Sequence, residues 1–120
     1  MPYVALQQLL DDGGTWGLFE YEKGIQIAHI SDEAIEAITT HLSQRTSPTS
    51  NLVFYPLTGA YTEVDDDATA FGGGRSPRLD VVINAVATNP EALAADRAWV
   101  RSFWSASSRT QSVSAGMSTR

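Results

Sequence analysis

The sequence predicts an α+β fold: an antiparallel sheet of three to four strands with helices packed on one face. Three observations predict it. Hydrophobic spacing switches along the chain between helical and alternating, the segment 79–87 has the apolar character of a central strand, and the elements run helix, strand, helix, strand pair, strand, helix. No internal repeat interrupts that order.

The first element is a short helix from Pro2 to Asp11, in which Tyr3, Leu6 and Leu10 fall at helical spacing, Leu9 stands beside them, and Gly13-Gly14 form the stop. From Leu18 to Ile30 the period becomes two. Phe19, Tyr21, Ile25, Ile27 and His29 share one parity and Glu20, Glu22 and Gln26 the other, which describes a half-buried strand with a bend at Gly24. Ser31 supplies an N-cap, Asp32 and Glu33 place acids in a first turn, and Ile30 and Ile35 occupy the positions of a hydrophobic staple. The second helix follows, with Ile35, Ile38 and Leu42 on its apolar face. After the loop Thr46-Ser47-Pro48-Thr49-Ser50 comes a strand from Leu52 to Leu57, whose Pro56 cannot donate to a ladder and so predicts an edge or a bulge. Ala60 to Val64 reads as its continuation past Gly59.

Leu79 to Ala87 is apolar on both parities apart from Asp80 and Asn84, as expected of a strand covered on both faces and therefore central. Asn89 caps a third helix, Pro90 occupies its first position, and Leu93, Trp99, Val100, Phe103 and Trp104 form its apolar side. The last 16 residues hold eight Ser or Thr and little periodicity, so residues 107–120 are expected as a disordered tail and residues 1–106 as one domain.

Composition narrows the function classes. With 42% hydrophobic and 18% charged residues the chain is globular. At this length it buries only about two-thirds of its unfolded surface, enough for one modest core. Eight Lys and Arg against 14 Asp and Glu leave a formal charge of −6, which argues against nucleic-acid binding through a broad basic surface. There are no cysteines, hence no disulfide framework, thiolate metal site or cysteine nucleophile, a usage that fits a reducing compartment. No apolar run reaches the ~20 residues a membrane span requires, and no basic start leads into an apolar stretch. The expectation is a cytoplasmic protein with neither a membrane nor a nucleic-acid partner.

Most motifs suggestive of chemistry read as structure. His29, on a sheet face, and His41, on a helix surface, have no ligand-spaced partners. Asp65-Asp66-Asp67 lacks the alternating ligands and closing Glu of a calcium loop and reads as a solvated acidic turn. Gly72-Gly73-Gly74-Arg75 lacks both the Gly-Lys-Ser/Thr ending of a phosphate loop and a following helix; it reads as a turn or bulge, with Arg75 a candidate for anion or substrate contact. If Ala60 to Val64 is a strand, Tyr61 and Glu63 share a face. Burial of that face would raise the Glu63 pKa and make it a candidate general base, whereas exposure would leave an ordinary surface acid.

The stretch Thr58-Gly-Ala-Tyr-Thr-Glu-Val64, then Ala70-Phe71, Gly72-Gly-Gly-Arg-Ser-Pro-Arg78, the strand Asp80-Val-Val-Ile-Asn-Ala-Val86 and the helix Ala95-Asp-Arg-Ala-Trp-Val-Arg-Ser-Phe-Trp104 resembles the substrate-domain region of berberine bridge enzyme-like FAD-linked oxidoreductases. Tyr21-Glu-Lys-Gly24 and Ile30-Ser-Asp-Glu-Ala34 also fit, so the resemblance covers about residues 1 to 106. It implies an α+β substrate domain whose antiparallel sheet covers the flavin ring of FAD, the FAD itself being held mainly by a domain that these residues do not contain. It further implies hydride transfer to flavin from an alcohol, sugar or phenolic-type substrate. In the plant members the catalytic Glu lies in a Gly-Gly-x-Met-x-Glu-Ile segment, eight positions before the Phe of Pro-Phe-Pro-His-Arg. Glu63 likewise stands eight before Phe71, with Tyr61 at the Met position, Gly59 at the second Gly and Thr58 departing from the first.

By this resemblance Glu63 is the candidate base; the residues themselves offer Tyr61, beside it, and Arg75, in the glycine turn, as candidate substrate contacts. The C-terminal closure of the family also lies outside these residues. The expected partners are a separate FAD-domain polypeptide or further copies of the chain, together with a small-molecule substrate, and the chain alone is expected to be inactive. Two other readings stand beside it: a non-catalytic α+β module that self-associates, and a small-ligand binding protein using the Tyr61 and Glu63 face.

Overall fold

A computed structural model describes residues 1–9, 11 and 15–117. Its elements are α1 (Tyr3–Gln7), β1 (Phe19–Ile27), α2 (Asp32–Ser43), β2 (Asn51–Leu57), a 3₁₀ turn (Gly59–Glu63), β3 (Arg78–Ala87) and α3 (Pro90–Met117). The three strands form one open sheet in the order β1-β3-β2, antiparallel throughout, with helices packed against it, an α+β fold as the sequence predicts. Since β1 and β2 both run against β3, they are parallel to each other, and α2 is the crossover that such a pair requires.

Register assigns each residue a face. Tyr21, Ile25 and Ile27 of β1 stand opposite Ala85, Val81 and Leu79 of β3, and Leu52 and Phe54 of β2 stand opposite Ile83 and Val81. This parity is the one that α3 covers. There Ile83 and Ala85 meet Trp99, Val100 and Phe103 in a buried core, with Tyr21, Ile38, Leu42, Leu52, Leu93 and Trp104 packed around it. The other parity, with Val53, Tyr55, Val82 and Asn84, lies on the face away from this core. β3 is central, and Pro56 sits on the edge strand β2, where its missing N–H costs no ladder bond.

The caps form as read. Ser31 Oγ accepts from Ala34 N at 3.2 Å, and Asn89 Oδ1 accepts from Ala92 N at 2.8 Å. Glu33, hydrogen-bonded to its own backbone N–H and to the Ser31 hydroxyl, has its carboxyl held below the ordinary range. That interaction therefore favours the folded state at neutral pH and is lost as pH falls through the lowered value.

Several expectations are corrected. The strand 18–30 ends at Ile27, and His29 lies exposed in the bend that follows rather than on the sheet. Ile30 and Ile35 are both exposed, and the half-buried stripe of α2 is Ala34, Ala37, Ile38, His41 and Leu42. His41 is accordingly no surface residue: its ring stacks on Phe103 at 5.2 Å and 11°, and its carbonyl accepts from Trp99 Nε1 at 2.7 Å. α1 is shorter than the predicted helix and leaves Tyr3, Val4, Leu6 and Leu9 exposed; Leu10, Gly13 and Gly14 lie outside the described residues. α3 spans Pro90–Met117.

The polar loop before β2 is a buckle. Thr46 Oγ1 and Ser47 Oγ both donate to the carboxylate of Asp96, a fully buried residue on α3, the second bond measuring 2.5 Å. Thr49 Oγ1 donates to the Val86 carbonyl at 2.7 Å, and Ser50 Oγ accepts from Val86 N at 3.1 Å. Four consecutive hydroxyl residues, interrupted only by Pro48, thus tie the α2–β2 connection to α3 and to the end of β3.

Candidate functional site

The connection 58–77 between β2 and β3 carries all three residues singled out from sequence. Gly59, in the left-handed region with φ +62, breaks β2 and starts the 3₁₀ turn, which Thr62 Oγ1 closes on the Gly59 carbonyl at 2.8 Å. The expected strand over 60–64 is therefore absent. With three residues per turn, residues two apart on a 3₁₀ helix diverge, so the shared sheet face proposed for Tyr61 and Glu63 does not form. Tyr61 is half-buried; Glu63 is exposed and has no hydrogen-bond or ion-pair partner among the described residues.

Tyr61 and Arg75 do come together. The Tyr61 hydroxyl donates to the Gly74 carbonyl, and its ring meets Phe71 edge-on at 5.7 Å. The Arg75 guanidinium carbon lies 5.0 Å from each of these two rings, and Arg75 Nη2 donates to Thr69 Oγ1 at 2.5 Å. A cation held by two aromatic rings keeps its charge while giving up conformational freedom. Arg78, at the root of the loop, donates from Nη1 to the Gly73 carbonyl and to Gln26 Oε1, both at 2.7 Å, and from Nε to the Ser76 carbonyl at 2.9 Å. Since Gln26 and Arg78 belong to the parity away from the core, this guanidinium ties the glycine turn to the open face.

The glycines have separate reasons. Gly74 is left-handed with φ +71. Gly73 lies under Phe71, where a Cβ would come within 2.6 Å of one ring carbon and 2.8 Å of another. Gly73→Ala is expected to swing the half-exposed Phe71 ring outward, costing less than about 1 kcal/mol of stability, the size of an ordinary surface change. The ring-current shifts that Phe71 imposes on Tyr61 and Arg75 should disappear from the proton NMR spectrum. An unchanged spectrum would show that Phe71 does not pack there.

Two buried polar atoms among the described residues lack partners: Nε of Arg75 and Oδ1 of Asn84. The first belongs to the aromatic cluster and the second to the open face of the central strand. Orphans of this kind are uncommon. The residues do not, however, compose a cradle for FAD. Around the glycine turn, the carbonyls of Gly73 and Gly74 are engaged by Arg78 and Tyr61, and a strand follows, whereas a dinucleotide diphosphate is held by backbone N–H groups at a helix N-terminus. The open face also carries the acids Glu20, Glu22 and Asp80.

Sequence reasoning missed Phe71, Thr69 and Arg78 as parts of this cluster and Asp96 as a buried acid. Asp96 had a signal: it lies three after Leu93 and four before Val100, inside the apolar stripe of α3. The cluster around Arg75 had none, because turn geometry alone brings it together. No helix among the described residues is long and apolar enough to cross a membrane. No protein-family model matches the chain, and no curated protein is similar enough to match it.

Proposed function

We propose that this chain forms the substrate-side wall of a cytoplasmic flavin-dependent oxidoreductase acting on an alcohol, sugar or phenolic compound, with FAD held by a domain outside these residues. The observation that carries this reading is the open sheet face, apolar at Val53, Tyr55 and Val82, rooted through Arg78 to a loop that holds Tyr61 and Arg75 in contact. The apolar strip within this face suits a flat ring, and the polar residues around it suit a small polar substrate. In this reading the Tyr61 hydroxyl and the Arg75 fork contact substrate. Glu63 acts as the base once a covering domain removes it from solvent. Alone, the chain is inactive.

Co-expression with a flavin-holding domain of the berberine bridge enzyme-like family, and purification through a tag on this chain, is expected to give a yellow complex. Its flavin absorbance should bleach anaerobically with a member of an alcohol, sugar and phenol panel. Glu63→Gln should slow the bleaching by about 10²–10⁴-fold, the usual worth of a general base. A colourless preparation, or a yellow one bleached equally fast by the variant, counts against the assignment.

A second reading, a non-catalytic module that self-associates, is favoured by one observation: Trp16 is fully exposed and the apolar residues of α1 are exposed as well. A concentration-dependent dimer in sedimentation, free of flavin and lost in Trp16→Ser, would select it.

A further inference from the structure

On the helix-covered side of the sheet, away from the open face, Arg97 and Arg101 stand one turn apart on α3 with their guanidinium carbons 5.0 Å and 5.6 Å from the Tyr21 ring. Arg101 Nε also donates to the Tyr21 hydroxyl at 3.3 Å. Both arginines are exposed, and Lys23, two residues along β1, lies with its ammonium 3.7 Å from the Trp104 ring. Three of the chain's eight Lys and Arg thus gather at one edge of an acidic protein.

Like charges four apart on a helix repel, and the usual remedy is an acid three or four positions away. Here those positions are Leu93, Ala94, Ala98, Val100, Trp104 and Ser105. Of the two acids on α3, Asp96 is turned into the core toward Thr46 and Ser47, and Glu91 lies two turns from Arg97. Among the described residues neither guanidinium has a carboxylate partner. The same cations, the Arg101 hydrogen bond foremost, hold the Tyr21 phenol below its ordinary pKa, so the local field at this hydroxyl is positive.

We propose that Arg97, Arg101 and the Tyr21 hydroxyl form a binding site for a phosphoryl group. A carboxylate has two oxygens and one charge, which a single guanidinium fork satisfies. Two forks and a phenolic donor instead match the three terminal oxygens and the nearly double charge of a phosphate monoester or free phosphate. The Tyr21 ring preorganises the pair by stacking both guanidinia, leaving their outer N–H groups to the ligand. The site is independent of the flavin reading, since it lies on the other side of the sheet.

The test uses the whole chain, titrated at constant ionic strength with inorganic phosphate, phenyl phosphate or acetate while the thermal midpoint is followed. Both phosphates should raise the midpoint saturably and acetate should not. Arg97→Gln combined with Arg101→Gln should weaken the phosphate response by about tenfold or more, the scale of a lost bidentate contact. Arg97→Lys combined with Arg101→Lys keeps the charge without the forks and should also lose most of the response, which carries the test if the Gln pair fails to fold. Tighter binding of phenyl phosphate assigns the site to an organic phosphomonoester, and tighter binding of inorganic phosphate assigns it to the free ion. An equal response to acetate, or an undiminished response in the Lys pair, overturns the proposal in favour of a purely structural stack.

Discussion

Phe103→Ala is expected to remove about 3–5 kcal/mol of stability, the range found when a fully buried aromatic ring is deleted. Phe103 is only 1% exposed and stands where three elements meet: it stacks on His41 of α2, lies 5.9 Å from Trp99 on its own helix, and closes over Ile83 of the central strand. A domain of this size holds in total about 5–15 kcal/mol, so the loss takes a large share. Because α2 reaches the sheet through α3, the cavity should loosen α2 as well. Urea unfolding followed by both far-ultraviolet circular dichroism and tryptophan fluorescence measures it. A change under about 1 kcal/mol, typical of a surface site, would mean that α3 does not dock through this ring.

Asp96→Ala is the second large effect, about 2–3 kcal/mol, since hydrogen bonds to a charged group contribute about 1.5–3 kcal/mol each and the freed hydroxyls of Thr46 and Ser47 partly recover water. Asp96→Asn, which keeps one carbonyl acceptor, should cost about half as much. The Asp96 and Ser47 pair should couple in a double-mutant cycle, with the combined Asp96→Ala and Ser47→Ala loss smaller than the sum of the single losses. Strict additivity would show that the buckle does not close in solution.

How much of this was legible in the sequence follows from the range of the interactions. The central strand, the Pro56 edge and the two N-caps were readable because period, ring chemistry and capping act within a few residues. The 3₁₀ turn was not. Tyr61-Thr62-Glu63 alternates like a strand, and only the left-handed Gly59 together with the anchor from Tyr61 to Gly74 decides otherwise. Arg75 was picked out as a cation near a glycine turn, but its two aromatic neighbours arrive from positions 61 and 71, which no local pattern joins. His41 failed for a similar reason, because a polar type on a helix reads as solvent-facing until Phe103 is known to lie beside it. The loop 46–50 has the composition of a flexible linker, and its order depends on a carboxylate about fifty residues away.

The two margins of the sheet differ from what a bare three-stranded ladder would offer. On one, Pro56 withholds a donor; on the other, the Trp104 indole donates to the Gly24 carbonyl at 3.0 Å with Lys23 lying over the same ring. A foreign peptide seeking to add itself as a fourth strand, or a chain of copies polymerising in cross-β fashion, would have to strip away that indole or accept a missing rung. Seeded aggregation is thereby discouraged at both flanks.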